Sequence, residues 1–109
     1  MSKGFHVEYS PEALDDLRSI YSYIAFRLKE RETASRQTGR IRREIRALSV
    51  MPERYASVDW EPWASMGMRR LPIGNYVVYY LVDQAKCLVS VVRIFYGGRD
   101  IESIVKEDP

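Results

Sequence analysis

Apolar and polar residues alternate near the start of the chain: Phe5, Val7 and Tyr9 fall on one side, His6 and Glu8 on the other. A period of two predicts a strand with one buried face. Ser10-Pro11-Glu12 then has the chemistry of a helix start. Serine caps free amides, proline fits the first turn, and Glu12, Asp15 and Asp16 complement the positive end of the helix. From there the period lengthens. Leu14, Leu17, Ile20, Tyr21, Ile24 and Leu28 follow a 3.6-residue spacing and predict an amphipathic helix of about five turns.

Glu30-Arg31-Glu32 interrupts this pattern with charge, and no Gly or Pro marks the turn. Ala34, Thr38, Ile41, Ile45 and Leu48 then restore a seam at alternating steps of four and three. That spacing suits a second helix packed nearly antiparallel on the first. Its other face is dense in arginine: Arg36, Arg40 and Arg43, with Arg42 and Arg46 flanking. Pro52 ends the helix, because the residue before a proline avoids the helical region.

Residues 54–65 (RYASVDWEPWAS) read as an irregular connector in which Trp60 and Trp63 anchor the loop to the core rather than stack on bases. The remainder is β. Residues 68–73 form a strand that Pro72 confines to an edge or a bulge. Gly74-Asn75 is a tight-hairpin signal. YVVYYLV (76–82) and CLVSVVRIFY (87–96) predict two central strands joined by the turn 83–86. Gly97-Gly98 ends the sheet, and residues 99–105 predict a short helix before an acidic end. The order is β-α-α-β-β-β: an α+β fold, one domain over residues 1–109, with an N-terminal helical hairpin packed on a small antiparallel sheet.

Composition narrows the class. The chain is 46% hydrophobic and 29% charged, which is globular rather than disordered. No apolar run reaches the roughly 20 residues that span a bilayer. Residues 1–9 lack a basic-then-apolar leader pattern, and the one cysteine, Cys87, has no partner for an internal disulfide. The expectation is a cytoplasmic protein without a membrane partner. The net charge of +2 conceals an uneven distribution. Residues 31–54 carry seven arginines against three glutamates, whereas residues 100–109 carry one lysine against four acids. A basic middle suits nucleic acid or an acidic protein, or is simply a solvated helix face.

Most enzyme chemistries lack their residues. With one His (His6) and one Cys, metal ligation has no donor set, and His6 should face solvent. No glycine-rich phosphate loop or nucleophile triad can be assembled, and no cofactor is expected. What remains is arginine and tyrosine around the sheet. Arg69 and Arg70 are adjacent on one strand and so point to opposite faces. Arg93 interrupts an apolar strand, which is unfavourable unless the guanidinium is paired or reaches a polar cleft. Tyr76, Tyr79, Tyr80 and Tyr96 lie nearby, and Arg99 follows the last strand. Such a cluster binds phosphate or carboxylate; alternatively, the strand arginines pair with Asp59, Asp100 or Glu102.

Two segments, RRLPIGNYVVYY (69–80) and VRIFYGGRD (92–100), together with VEYSPEA (7–13) and Asp16-Leu17, resemble the RelE/ParE superfamily of bacterial toxins from type II toxin–antitoxin modules. The resemblance covers residues 5–105 and implies a cognate antitoxin that wraps the toxin in a hetero-oligomer. RelE-like members cut mRNA in the ribosomal A site with basic sheet residues and often a C-terminal tyrosine. In that alignment Arg70 and Arg99 fall on basic positions of the site. Val77, however, falls where RelE carries a central strand arginine, and Val105 falls near its tyrosine. Other members use Glu or His, and no His follows His6. ParE-like members lack these catalytic groups, share the Gly-Arg-Asp ending, and are associated with poisoning DNA gyrase. The resemblance is closer to this branch. It implies target binding through Arg69, Arg70, Arg93, Tyr96 and Arg99. Under the endoribonuclease alternative, Arg70, Arg99 and Tyr96 would be catalytic. A third reading is a non-toxic domain that only binds a partner or an operator complex.

Overall fold

A computed structural model describes residues 4–107, so the leader question at residues 1–3 and the final acid, Asp108, lie outside the described residues. The first strand, β1 (His6–Tyr9), meets the first helix, α1 (Pro11–Ser22), at Ser10. Ser10 Oγ accepts from the Ala13 amide at 2.9 Å and donates to the Val92 carbonyl at 2.8 Å. The helix cap therefore also fastens α1 to the sheet. The predicted five-turn helix does not run straight to Leu28. It widens into a π-helical turn over Tyr23–Arg27 and closes through Lys29 at φ 57°. The Glu30 amide bonds back to the Ile24 carbonyl at 3.0 Å, a left-handed helix stop formed without glycine. This turn leaves Tyr23, Phe26 and Leu28 more than half exposed.

The second helix, α2 (Arg31–Arg46), extends through a 3₁₀ turn, Ala47–Ser49. All five predicted seam residues are buried. Thr38, the polar one, donates to the Ala34 carbonyl at 2.9 Å, so its burial leaves no hydroxyl unpaired. Met51 takes a left-handed conformation (φ 48°, ψ 56°) immediately before Pro52, away from the helical region that proline disfavours. A short helix, α3 (Trp63–Met66), leads into β2 (Arg69–Ile73), β3 (Tyr76–Asp83) and β4 (Leu88–Tyr96), and α4 (Ile101–Glu107) follows.

The sheet order is β1-β4-β3-β2. β3 and β4 are central, and β2 with Pro72 is an edge, as expected. The sheet is mixed rather than wholly antiparallel. β2, β3 and β4 alternate direction through tight turns, but β1 lies parallel to β4. The helical hairpin between β1 and β2 carries the chain far enough to free β1 of the antiparallel constraint that a tight turn imposes.

Both faces of the sheet are covered. Leu17, Ile41, Ile45 and Leu48 of the helices pack on Val78, Tyr80, Val89, Val91 and Ile94. Val58, Trp63, Met68 and Ile101 pack on Val77, Tyr79 and Phe95 from the other side. A bulge beside Tyr79 and Tyr80 shifts the β3–β4 register, so that Val91 and Ile94 both face the helices across an odd spacing. Among the described residues no helix is long and apolar enough to cross a membrane.

Tyr80 is fully buried, and its hydroxyl donates to the Pro52 carbonyl at 2.6 Å. Burial pushes the phenol from 10.0 up to about 12, against the pull of Arg69. The fold holds the protonated form. Its stabilisation is present below pH 10 and is lost as pH rises towards about 12. The thermal midpoint should therefore fall over that window. Tyr80→Phe should flatten part of the fall while costing about 1–3 kcal/mol near neutrality, because the Pro52 carbonyl loses its donor. Identical alkaline profiles for the two proteins would disprove this role.

Candidate target-binding site

The expected arginine cluster is divided by the structure. Arg69 and Arg70 point to opposite faces, as adjacency on a strand dictates. Arg69 Nη1 donates to the carbonyls of Glu53 at 2.9 Å and Tyr55 at 2.7 Å, and its Nη2 lies 3.6 Å from a Glu53 carboxylate oxygen. It clamps the turn after α2. Arg93 makes a two-point contact with Asp16: Nε donates to Oδ2 at 2.8 Å and Nη2 to Oδ1 at 2.9 Å. Asp16 Oδ2 also accepts the Ile94 amide at 2.9 Å. β1 ends opposite Val91, and Ser10 and Asp16 satisfy the stretch of β4 beyond it. Asp16, read from the sequence as a helix-start acid and as part of an Asp-Leu pair, is thus a partner of Arg93.

Arg70 and Arg99 do come together. They line one shallow cleft of about 230 Å³, with Tyr79 in its wall. Burial raises the Tyr79 phenol, and Arg70, hydrogen-bonded to it, only partly offsets that. Asp59, Asp100 and Glu102 line the same cleft. Asp100 also starts α4: its carboxylate accepts the Ser103 hydroxyl at 2.8 Å and the Ser103 amide at 3.3 Å. Arg93 and Arg99 both lie against Phe95, at 4.3 and 5.6 Å from the ring centroid. Among the described residues no three His, Cys, Asp or Glu side chains converge as metal ligands would.

Tyr96 stands apart from the cleft. It is 51% exposed and meets Tyr76 edge-on, with ring centroids 6.0 Å apart. Gly98 makes this position possible, since a Cβ there would sit 2.6 Å from the Tyr96 ring. Tyr96 and Tyr76 line a groove of about 800 Å³, which runs between the sheet end and the hairpin tip past Ile20, Tyr23 and Leu28. Arg99 borders both the groove and the cleft.

Val77 lies beneath the second layer, 7% exposed, and Val105 packs on the same layer. Trp63 stacks on Trp60 at 5.0 Å and leans on Tyr79 at 4.8 Å, so both tryptophans anchor the connector as expected. His6 is exposed on β1, the edge opposite β2, 3.4 Å from Glu8.

The profile of the family described as "ParE toxin of type II toxin-antitoxin system, parDE" matches residues 7–101. No curated protein sequence matches the chain. Solved structures show the same fold. The chromosomal ParDE toxin–antitoxin system of P. aeruginosa aligns with TM-score 0.70 at 21% identity, over 87% of this chain and 98% of the other. An E. coli RelE toxin variant in the free state aligns with TM-score 0.65 at 14% identity, over 97% and 99%. The RelBE2 toxin–antitoxin complex of Mycobacterium tuberculosis aligns with TM-score 0.64 at 18% identity, over 85% and 98%.

Proposed function

We propose that this chain, which belongs to the ParE toxin family of type II toxin–antitoxin systems, arrests bacterial growth by binding DNA gyrase and is silenced by a cognate antitoxin. The observation that carries this reading is the composition of the cleft. Arg70 and Arg99 share it with three carboxylates, an unfavourable lining for an RNA phosphate. Val77 donates no hydrogen bond to a scissile phosphate. Tyr79, its phenol raised by burial, is a weak proton donor and is almost never ionised near neutrality. The site is built to grip rather than to cut. Arg70 and Arg99 contact the target, whereas Arg69 and Arg93 hold the scaffold that presents them.

The groove beside Tyr96 suits the antitoxin. Its margin carries Tyr23, Leu28 and Tyr96, each more than half exposed, which are anchors for an apolar segment of a partner. An antitoxin lying there, along the hairpin and the sheet end, would cover an interface of about 1,600 Å².

Expression of the chain alone is expected to slow growth and lower supercoiling by gyrase, and co-expression of the antitoxin to restore both. Arg70→Ala and Arg99→Ala should each weaken toxicity about tenfold, as loss of one anchoring arginine does. Arg70 lies away from the groove, so Arg70→Ala should leave antitoxin binding intact. Codon-specific cuts in ribosome-bound mRNA would replace this reading with the endoribonuclease. Unimpaired growth at verified soluble expression would replace it with a non-toxic binding domain.

A further inference from the structure

α2 carries six arginines against two glutamates, and Arg36, Arg40, Arg42, Arg43 and Arg46 are all exposed. None of these five forms an ion pair among the described residues. Like charges repel at Arg36–Arg40 and Arg42–Arg46, four residues apart, and at Arg40–Arg43 and Arg43–Arg46, three apart. The negative end of the helix favours Arg43 and Arg46 but is too far from Arg36 to compensate it.

Gly39 lies in the middle of this surface, flanked by Arg36 one turn before and Arg42 and Arg43 one turn after. Glycine weakens a helix interior, and the fold gives no steric reason for it here. A Cβ would meet only the Arg43 guanidinium, at an ordinary 3.5 Å. Two local penalties thus coincide on one exposed face: Glu32 and Glu44, each four residues from an arginine, offset only part of the repulsion, and nothing in the fold requires the glycine.

The chemistry of the face selects its partner. Outward positions 32, 35, 36, 39, 40, 42, 43 and 46 hold no apolar side chain. A protein interface needs apolar or aromatic anchors at its centre, whereas a duplex interface is polar and strongly positive. The same positions offer no aromatic ring on which the bases of a single strand would stack. Guanidinia on a ridge, with a bare backbone notch between them, fit a phosphate strand crossing the helix. We propose that the outer face of α2 is a sequence-independent site for the phosphate backbone of duplex nucleic acid, with Arg36 and Arg43 as principal contacts and Gly39 admitting the strand.

The test is fluorescence anisotropy of the full chain with short mixed-sequence DNA and RNA duplexes. Because gyrase is absent, its outcome is independent of the gyrase reading. With about four phosphate contacts, affinity should fall about a hundredfold between about 50 and 200 mM salt. Arg36→Gln/Arg43→Gln should flatten the salt slope by about two. Gly39→Ala should raise the thermal midpoint by about 4 °C yet weaken binding about fivefold. A stabilising change that damages binding cannot arise from misfolding. Preference for one duplex identifies the source of the phosphates. Absence of binding at low salt, unchanged affinity in the double variant, wild-type binding by Gly39→Ala, or equal binding of poly-glutamate would each overturn the proposal.

Discussion

Asp16→Ala is expected to cost about 2–4 kcal/mol of folding stability, a large share of the roughly 5–15 kcal/mol available to a domain. The carboxylate serves three donors at once: two on Arg93 and the Ile94 amide. Its removal takes a two-point carboxylate contact from a guanidinium only 27% exposed, and leaves the Ile94 amide without this acceptor beyond the end of β1. Residual exposure lets water recover part of the loss, which keeps the figure below that of a fully buried pair. Asp16→Asn retains one acceptor and should lose about half as much. The double variant Asp16→Ala/Arg93→Leu should be more stable than the two single losses predict, because both sides of the Asp16–Arg93 contact are removed together. Urea unfolding of the four proteins measures this coupling. Additive losses would mean that the pair does not join α1 to β4.

Trp63→Ala should cost about 3–5 kcal/mol, as removal of a buried tryptophan generally does. Trp63 is 6% exposed, stacked on Trp60 and wedged against Tyr79, in the same layer as Met68 and Ile101. That layer is the seat of α4. With its centre empty, residues 101–107 should lose amide protection well before the helical side of the sheet does. Hydrogen exchange can separate the two layers. Toxicity should fall as well, since the wall that fixes Arg99, Asp100 and Glu102 beside Arg70 loosens. Full protection of 101–107 in a destabilised variant would show that α4 does not depend on this seat.

These two variants also mark where the sequence was readable and where it was not. The seam from Ala34 to Leu48, the Ser10 cap, the edge placement of Pro72 and the anchoring role of the tryptophans were all legible, because each depends on local period or local backbone chemistry. The pairing of Arg70 with Arg99 in one cleft was partly legible, through their places in two ordered segments. The partner of Arg93 was not, since Asp16 lies 77 residues away and nothing in strand or helix periodicity links them. The π turn at Tyr23–Arg27 and the left-handed Lys29 carried no glycine to announce them.

The sequence by itself determined the main strands and the two long helices, their order, the buried seam of α2 and the uneven placement of charge. These follow from side-chain spacing and caps within a few residues. Tertiary structure decided the parallel pairing of β1 with β4, the second layer over Val77, the hydrogen bonds that tie down Arg69 and Arg93, and the meeting of Arg70 and Arg99 in one cleft. Those depend on which distant groups meet when both faces of a sheet are covered.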